Sequence, residues 1–158
     1  MDRLFLLLAG CRPFGALPYP GTWASALTAL LVYGAARCGA SLGGAPYFLT
    51  LATVVVLGAV GAGAAEKILD QPDPDCVTID EAAGQMLALS WCPAHPAAVP
   101  AGFLLFRFFV IAKPFPVGWL NRHLHGGLAI MLDDLMAGIY ALTVLQAGPA
   151  LHRRLLLP

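Results

Sequence analysis

Long apolar stretches alternate with short charged or proline-rich loops along this chain. Apolar residues dominate from Thr22 to about Arg37 and again from Tyr47 to Ala65, with a glycine-rich turn between the two stretches. A third apolar stretch covers residues 128–148. Stretches of about 20 apolar residues match the thickness of the hydrocarbon core of a bilayer. The pattern therefore predicts three membrane-spanning helices, of which the first two form a hairpin.

Two shorter apolar segments, 82–91 and 101–112, are separated by a turn that contains three prolines. Each segment is short for a complete crossing, so together they predict a helical hairpin that enters the membrane incompletely. The N-terminal run Leu4–Ala9 is expected to remain as an interfacial segment. The predicted fold class is all-α: one domain over residues 1–158, a polytopic membrane helical bundle with interfacial loops and a short helical hairpin.

Two charge-rich loops, 66–81 and 113–127, interrupt the apolar pattern. Each loop follows a predicted hairpin, so both loops should lie on the same membrane face as the Gly21–Thr22 turn. Thr22 is expected to cap the helix that follows it, because a threonine hydroxyl can accept a hydrogen bond from an unpaired backbone N–H. Most Lys and Arg residues fall on this face, which favours a cytoplasmic location for it.

The composition agrees with a membrane protein. Hydrophobic residues make up 59% of the chain and charged residues 11%, whereas soluble domains contain about 25% charged residues. The formal net charge is zero, and no nucleic-acid-binding motif is present, so no nucleic-acid partner is expected. The four cysteines show no Cys-x-x-Cys spacing, and they are interpreted as small apolar side chains of the core.

The candidate chemistry rests on two pairs of adjacent acids near the ends of apolar segments. Mg²⁺ prefers oxygen ligands and usually takes only one or two carboxylates, while water and phosphate oxygens complete its coordination. Adjacent residues on a helix point about 100° apart, so each pair offers one carboxylate to a shared site and a second one beside it. We expect four residues to bind Mg²⁺ and to act in catalysis: Asp80, Glu81, Asp133 and Asp134.

A glycine follows one acid of each pair at a spacing of four residues. Gly84 follows Asp80, and Gly138 follows Asp134. Residues four apart share a helix face. Each glycine is therefore expected to leave room beside its acid for a lipid headgroup or for a closely packed helix.

Several cations in the second half of the chain are candidates for phosphate binding. Arginine offers a bidentate fork and lysine a compact positive charge. The alternative is that such cations extend their long side chains from helix ends toward water. The predicted substrate-binding residues are Thr22, Arg107, Lys113, Arg122 and His125.

Four motifs occur in a fixed order along the chain: Pro20-Gly21-Thr22, Asp73 through Asp80-Glu81 to Gly84, Phe106-Arg107 with Lys113-Pro114-Phe115-Pro116, and His125-Gly126-Gly127 through Asp133-Asp134 to Gly138. In combination and in this order, they resemble the phosphatidylglycerophosphatase A family. The resemblance implies a multi-pass enzyme of the bacterial inner (cytoplasmic) membrane. It also implies Mg²⁺-dependent removal of the terminal phosphate of phosphatidylglycerophosphate, which gives phosphatidylglycerol. The lipid substrate and the bilayer are then the expected partners, and the oligomeric state stays open.

The chain departs from the family pattern at two positions. Val110 and Asn121 stand where the pattern has aspartate, which leaves the two acid pairs as the stronger candidates for the chemistry. The alternative function is a non-catalytic small membrane transporter or scaffold. A transporter would need acids along a path through the membrane, whereas the sequence groups them at one face.

Overall fold

The computed structural model describes residues 2–11, 15, 17–93, 95–115 and 126–156, of which 149–156 are described as backbone alone. Within these residues all regular structure is helical, which confirms the all-α prediction. The helices are α1 (Asp2–Leu8), α2 (Pro20–Arg37), α3 (Ala45–Leu69), α4 (Ile79–Ala88), α5 (Ala98–Ala112) and α6 (Gly127–Leu156).

The short helix α4 lies at the centre of the bundle. It contacts α2, α3, α5 and α6, and its contact with α6 is the most extensive. Helices α2 and α6 run in the same direction as α4, whereas α3 and α5 run in the opposite direction. Consequently α2, α4 and α6 begin at one end of the bundle, and α3 and α5 finish at that same end.

The contact between α4 and α6 depends on glycine. A Cβ atom at Gly84 would lie 2.5 Å from the carbonyl oxygen of Asp134, and one at Gly138 would lie 2.5 Å from the carbonyl oxygen of Gly84. Such distances are too short for a side chain, so the two backbones touch directly. Small residues allow this close approach of helices. Of the two expectations for these glycines, room for a close helix is therefore the one observed.

Within the described part of the chain, two helices are long and apolar enough to cross a membrane, namely Ala45–Leu69 and Gly127–Gly148. They correspond to the predicted second and last spans. Helix α2 is long enough, with 18 residues, but it is less apolar than these two helices, so its crossing stays a prediction. Helix α4 has 10 residues and is about 15 Å long at the helical rise of 1.5 Å per residue. With α5 it forms the short hairpin expected from the sequence.

The outer surfaces of several helices expose large apolar side chains. Leu30 and Leu31 of α2 are 66% and 65% exposed, and Phe108 of α5 is 61% exposed. Exposed apolar residues also occur on α3 and α6. So many large exposed apolar side chains on several helices are consistent with a membrane-facing surface.

Helix α1 is joined to the segment that precedes α4. The carbonyl oxygen of Ala9 accepts hydrogen bonds from the backbone N–H groups of Thr78 and Ile79 at 3.0 and 3.2 Å. The Thr78 hydroxyl donates to the carbonyl oxygen of Gly10, whose φ of 78° suits glycine. The N-terminal helix therefore stabilises the start of α4.

Several predicted boundaries were wrong. Helix α4 covers Ile79–Ala88 rather than residues 82–91, and α5 begins at Ala98 rather than at residue 101. Thr22 does not cap α2, because the helix already begins at Pro20 after the left-handed residue Tyr19; proline favours the first helical turn because its backbone is preset for it. Helix α3 extends to Leu69, so the expected loop from residue 66 begins only at Asp70. The residues before Asp70 favour helix, and Pro72 lies just beyond it.

Candidate active site

An open cavity of about 430 Å³ lies at the end of the bundle where α2, α4 and α6 begin. Its walls combine the start of α2, the 73–77 segment, the first turn of α4, the last turns of α5 and the second turn of α6. The predicted convergence of the separate motifs is therefore present in the structure. Helix N-termini carry partial positive charge, so this end of the bundle favours anionic ligands.

Three carboxylates meet in this cavity, which we therefore call the carboxylate cavity. Asp80, Glu81 and Asp134 each place a carboxylate oxygen within 4.8 Å of the others. Asp80 and Asp134 are buried, and the Glu81 side chain is only 15% exposed. One buried oxygen of each residue has no hydrogen-bond partner among the described residues: Asp80 Oδ1, Glu81 Oε2 and Asp134 Oδ2.

The surroundings of Asp80 and Glu81 oppose their ionisation. Burial raises the pKa of Asp80 well above its usual range, and the charge of Glu81 adds to this effect. Burial and then the charge of Asp134 raise the pKa of Glu81 to about 8, against the lowering effects of the Asp80 hydrogen bond and the Arg107 charge. A nearby positive charge reverses such shifts, because it favours the ionised carboxylate.

Gly21 forms the surface against which the Glu81 carboxylate lies. A Cβ atom on Gly21 would overlap the Glu81 carboxyl group. The glycine therefore permits the position that Glu81 takes beside the other two acids. It is a site residue that the sequence prediction did not include.

Arg107 reaches the same carboxylate from α5. Its Nη1 atom lies 3.8 Å from Glu81 Oε1 and donates a hydrogen bond of 3.5 Å to the hydroxyl of Ser25. Ser25 is fully buried, and its own hydroxyl donates to the carbonyl oxygen of Gly21 at 2.8 Å. The guanidinium is thus held at the cavity wall by α2 and α4 together.

Lys113 and Asp133 form an ion pair, and both residues also line the cavity. Lys113 follows α5 in a left-handed conformation with a φ of 40°, which turns the chain just after the helix ends. Asp133 is buried, and it lies in the cavity wall beside Asp134. The two adjacent acids therefore have different neighbours, and the role of Asp133 as a metal ligand stays a prediction.

The remaining predicted residues fall into two groups. Thr22 lines the cavity from the first turn of α2, and its role in substrate binding stays a prediction. Val110, where the family pattern has aspartate, lines it from α5 and contributes an apolar patch of wall. Four residues of the sequence argument lie outside the described residues: Pro116, Asn121, Arg122 and His125.

Sequence reasoning missed three residues of this site, namely Gly21, Ser25 and Asp73. Asp73 lines the cavity, and its charge contributes to raising the pKa values of Asp80 and Glu81. Its presence in the family-like motif was an available signal. For Ser25 no sequence signal existed, because a serine within an apolar helix is unremarkable until Arg107, 82 residues away, is seen to bind it.

The donor set suits a hard divalent cation. Three carboxylates converge, and each has a buried oxygen without a hydrogen-bond partner in the part of the chain that the structure describes. Burying charges so close together is costly unless a countercharge compensates them. Oxygen-only ligands with space for water and phosphate are typical of Mg²⁺ rather than of zinc, which favours nitrogen and sulfur.

Comparison with known proteins identifies relatives over most of the chain. The family model for phosphatidylglycerophosphatase A matches residues 7–148. Phosphatidylglycerophosphatase A of Haemophilus influenzae is 32% identical over 149 residues, which cover 93% of this chain and 89% of the relative. The Escherichia coli protein of the same name is 31% identical over 100 residues, which cover 63% of this chain and 58% of the relative. No solved structure matches the chain.

These matches agree with the order of motifs in the sequence and with the cavity that those motifs form. They confirm the family recognised from the sequence and the phosphatase class predicted for the enzyme. The chain belongs to the phosphatidylglycerophosphatase A family.

Proposed function

We propose that this protein hydrolyses the terminal phosphate of phosphatidylglycerophosphate to give phosphatidylglycerol, with Mg²⁺, at the cytoplasmic face of the bacterial inner membrane. The names of its relatives support the substrate. One structural observation carries the proposal: Asp80, Glu81 and Asp134 converge within 4.8 Å in a cavity at the end of an apolar bundle. A charged cavity at the end of an apolar bundle supports binding of a lipid phosphate at a membrane surface.

The three converging carboxylates would hold the cation, with Asp133 as a further predicted ligand. When bound, Mg²⁺ supplies a Lewis acid that lowers the pKa of water and offsets the charge of the phosphate. The acids alone would repel a phosphate dianion. The proposal therefore requires the cation for substrate binding as well as for turnover.

Cationic and polar side chains of the chain orient the phosphate. Arg107, backed by Ser25, presents a guanidinium at the cavity wall beside Glu81, where its fork suits phosphate oxygens. Lys113 supplies a second positive charge, which Asp133 positions. Thr22 adds a hydroxyl at the positive end of α2. Arg122 and His125 stay predicted contributors.

In the proposed reaction, water adds to the terminal phosphorus and the bond from phosphorus to the glycerol oxygen breaks. The glycerol oxygen leaves as the primary alcohol of phosphatidylglycerol, and inorganic phosphate is released. Positioning and electrostatic stabilisation dominate phosphoryl transfer, and the charged lining of this cavity can provide both. The cavity is open, so phosphate can leave toward water while the lipid stays in the membrane.

The direct test is phosphate release by the purified protein in mixed micelles. With phosphatidylglycerophosphate and Mg²⁺, the proposal predicts release of inorganic phosphate, which chelation by EDTA abolishes and added Mg²⁺ restores. Phosphatidic acid, another lipid phosphomonoester, serves as the comparison substrate and should react more slowly. No release under any of these conditions would favour the transporter or scaffold.

The orientation of the protein in the membrane can be tested separately. Cys38 follows α2 at the end of the bundle opposite the cavity, and it is exposed, whereas Cys11 and Cys92 are buried. If the cavity faces the cytoplasm and the α2–α3 hairpin crosses, a membrane-impermeant maleimide should label Cys38 in intact spheroplasts, and Cys38→Ser should remove the label. Labelling of Cys38 only after lysis would contradict this orientation.

A further inference from the structure

A second cavity lies on another side of α4. It occupies about 520 Å³ between α2 and α3, with α4 as its floor, and we refer to it as the α2/α3 groove. Its lining is largely apolar and includes Leu31, Val54 and Met86. Two of its hydroxyl groups already donate hydrogen bonds to the protein backbone: Tyr47 to the carbonyl oxygen of Met86, and Thr50 to that of Pro46. The groove therefore suits an apolar ligand that offers no hydrogen bonds.

The groove and the carboxylate cavity follow one another along α2, and both use residues of α4. On α2, Thr22 lines the cavity and Thr28 lines the groove, and the six-residue step from one to the other spans about 9 Å along the helix axis. On α4 the two linings lie on different faces of the helix, because Glu81 lines the cavity while Ile79 and Met86 line the groove. Along α2, from its start, the protein therefore presents first a charged site and then an apolar one. A phospholipid presents its headgroup and its acyl chains in this same order.

The groove is also placed where a bilayer would supply acyl chains. One wall is α3, a helix long and apolar enough to cross a membrane. On the other wall, Leu31 lines the groove and is 65% exposed. Apolar exposure of this size is costly in water but favourable beside lipid.

We propose that the α2/α3 groove binds an acyl chain of the same lipid whose phosphate occupies the carboxylate cavity. This inference rests on the proposed function for the identity of the headgroup. It assigns the groove a role in selecting a lipid over a water-soluble phosphomonoester. A substitution that fills the groove should therefore weaken binding of the acylated substrate selectively.

The test compares two alanine-to-phenylalanine variants. Ala35→Phe places a ring in the groove, whereas Ala52→Phe places one on an exposed position of α3 outside it. Each variant is assayed with long-chain phosphatidylglycerophosphate and with the deacylated, water-soluble form of the same headgroup. For Ala35→Phe we expect the ratio of the KM for the lipid to the KM for the deacylated compound to rise about 10-fold, since several methylene contacts are lost. For Ala52→Phe the ratio should match that of the unchanged protein.

A second measurement does not depend on turnover. Phosphatidylglycerophosphate that carries a photoreactive diazirine in one acyl chain should cross-link to α2 within residues 28–35, and Ala35→Phe should reduce this labelling several-fold. Phosphatidylcholine with the same chain should label the region less.

The inference is overturned by cross-links outside the groove or by a KM ratio that Ala35→Phe leaves unchanged. A change of oligomeric state in that variant would also overturn it, because it would identify a second copy as the occupant. Absence of hydrolysis with cross-linking intact would instead refute the proposed reaction.

Discussion

The two cavities around α4 have similar volumes but opposite chemistry. The carboxylate cavity is lined by acids and cations, whereas the α2/α3 groove is almost wholly apolar. Both use residues of α4 and α2, and consecutive α4 residues separate them, because Glu81 belongs to the first and Ala82 to the second. The comparison shows how one short helix, by presenting different faces to different neighbours, lines two cavities of opposite chemistry, which are the proposed reaction site and the proposed acyl-chain site.

The largest expected effect comes from removing one converging acid. Asp134→Asn keeps the size of the side chain but removes its charge, so phosphate release should fall by at least about 100-fold, the order seen when one preorganised stabilising group is lost. The loss should be equal for acylated and deacylated substrates, because the groove is unchanged. Phosphate-release assays with both substrates measure it.

Asp70→Asn is the matched control for this variant. Asp70 ends α3 in a left-handed conformation, which asparagine also tolerates. Its activity should equal that of the unchanged protein. Turnover by a folded Asp134→Asn variant at the level of this control would exclude the acid from the mechanism.

A smaller effect is expected when the Glu81 carboxylate is displaced but retained. Gly21→Ala introduces a methyl group where that carboxylate lies, so activity should fall about 10-fold while the melting temperature changes little, because a flexible side chain can move aside. Gly34→Ala, in the same helix but with open space around it, should leave both quantities unchanged. Full activity in Gly21→Ala would show that the observed position of Glu81 is unimportant.

Helix α4 lines both cavities, and its close contact with α6 holds it in place. The next variant tests this contact. Gly138→Ala forces a methyl group against the Gly84 backbone, and overpacking of this kind costs about 1–3 kcal/mol. Thermal unfolding in detergent should show a lower melting temperature than for Gly148→Ala, whose site in α6 is open. Equal melting temperatures would contradict the close contact of the two backbones.

The smallest effect is a pH dependence of stability without metal. The pKa of Glu81 in the folded protein, about 8, lies above its ordinary value of 4.5, so the folded state holds the proton more tightly. The stabilisation that protonated Glu81 gives the folded protein is complete below pH 4.5 and is lost as the pH rises through 8. In EDTA the melting temperature should fall over this interval, and Glu81→Gln should show a weaker decline. A melting temperature that stays constant or rises with pH would oppose this account of the buried acid.

Much of the architecture was accessible from the sequence, because apolar stretches of defined length between proline-rich turns determine the hairpins. The convergence of Asp80 and Asp134 followed from those hairpins. Local details were harder: the start of α2 depended on Pro20 after a left-handed residue rather than on Thr22.

Tertiary contacts account for the rest of what the sequence could not predict. The spacing of 100° between neighbours showed that Asp133 and Asp134 must diverge, but not that Lys113 would pair with Asp133. Likewise, nothing local to Ser25 indicates that Arg107 will bind its hydroxyl.

The central claim is that Asp80, Glu81 and Asp134 together hold one divalent-cation site. Mn²⁺, which shares the preference of Mg²⁺ for oxygen ligands, can be followed by electron paramagnetic resonance as it binds to the purified protein. The account predicts saturable Mn²⁺ binding that Mg²⁺ displaces. The affinity for Mn²⁺ should fall by at least about 10-fold in Asp134→Asn, a loss typical even for outer partners of a metal site. In Asp70→Asn the affinity should be unchanged. Mn²⁺ binding of equal affinity in both variants would contradict it.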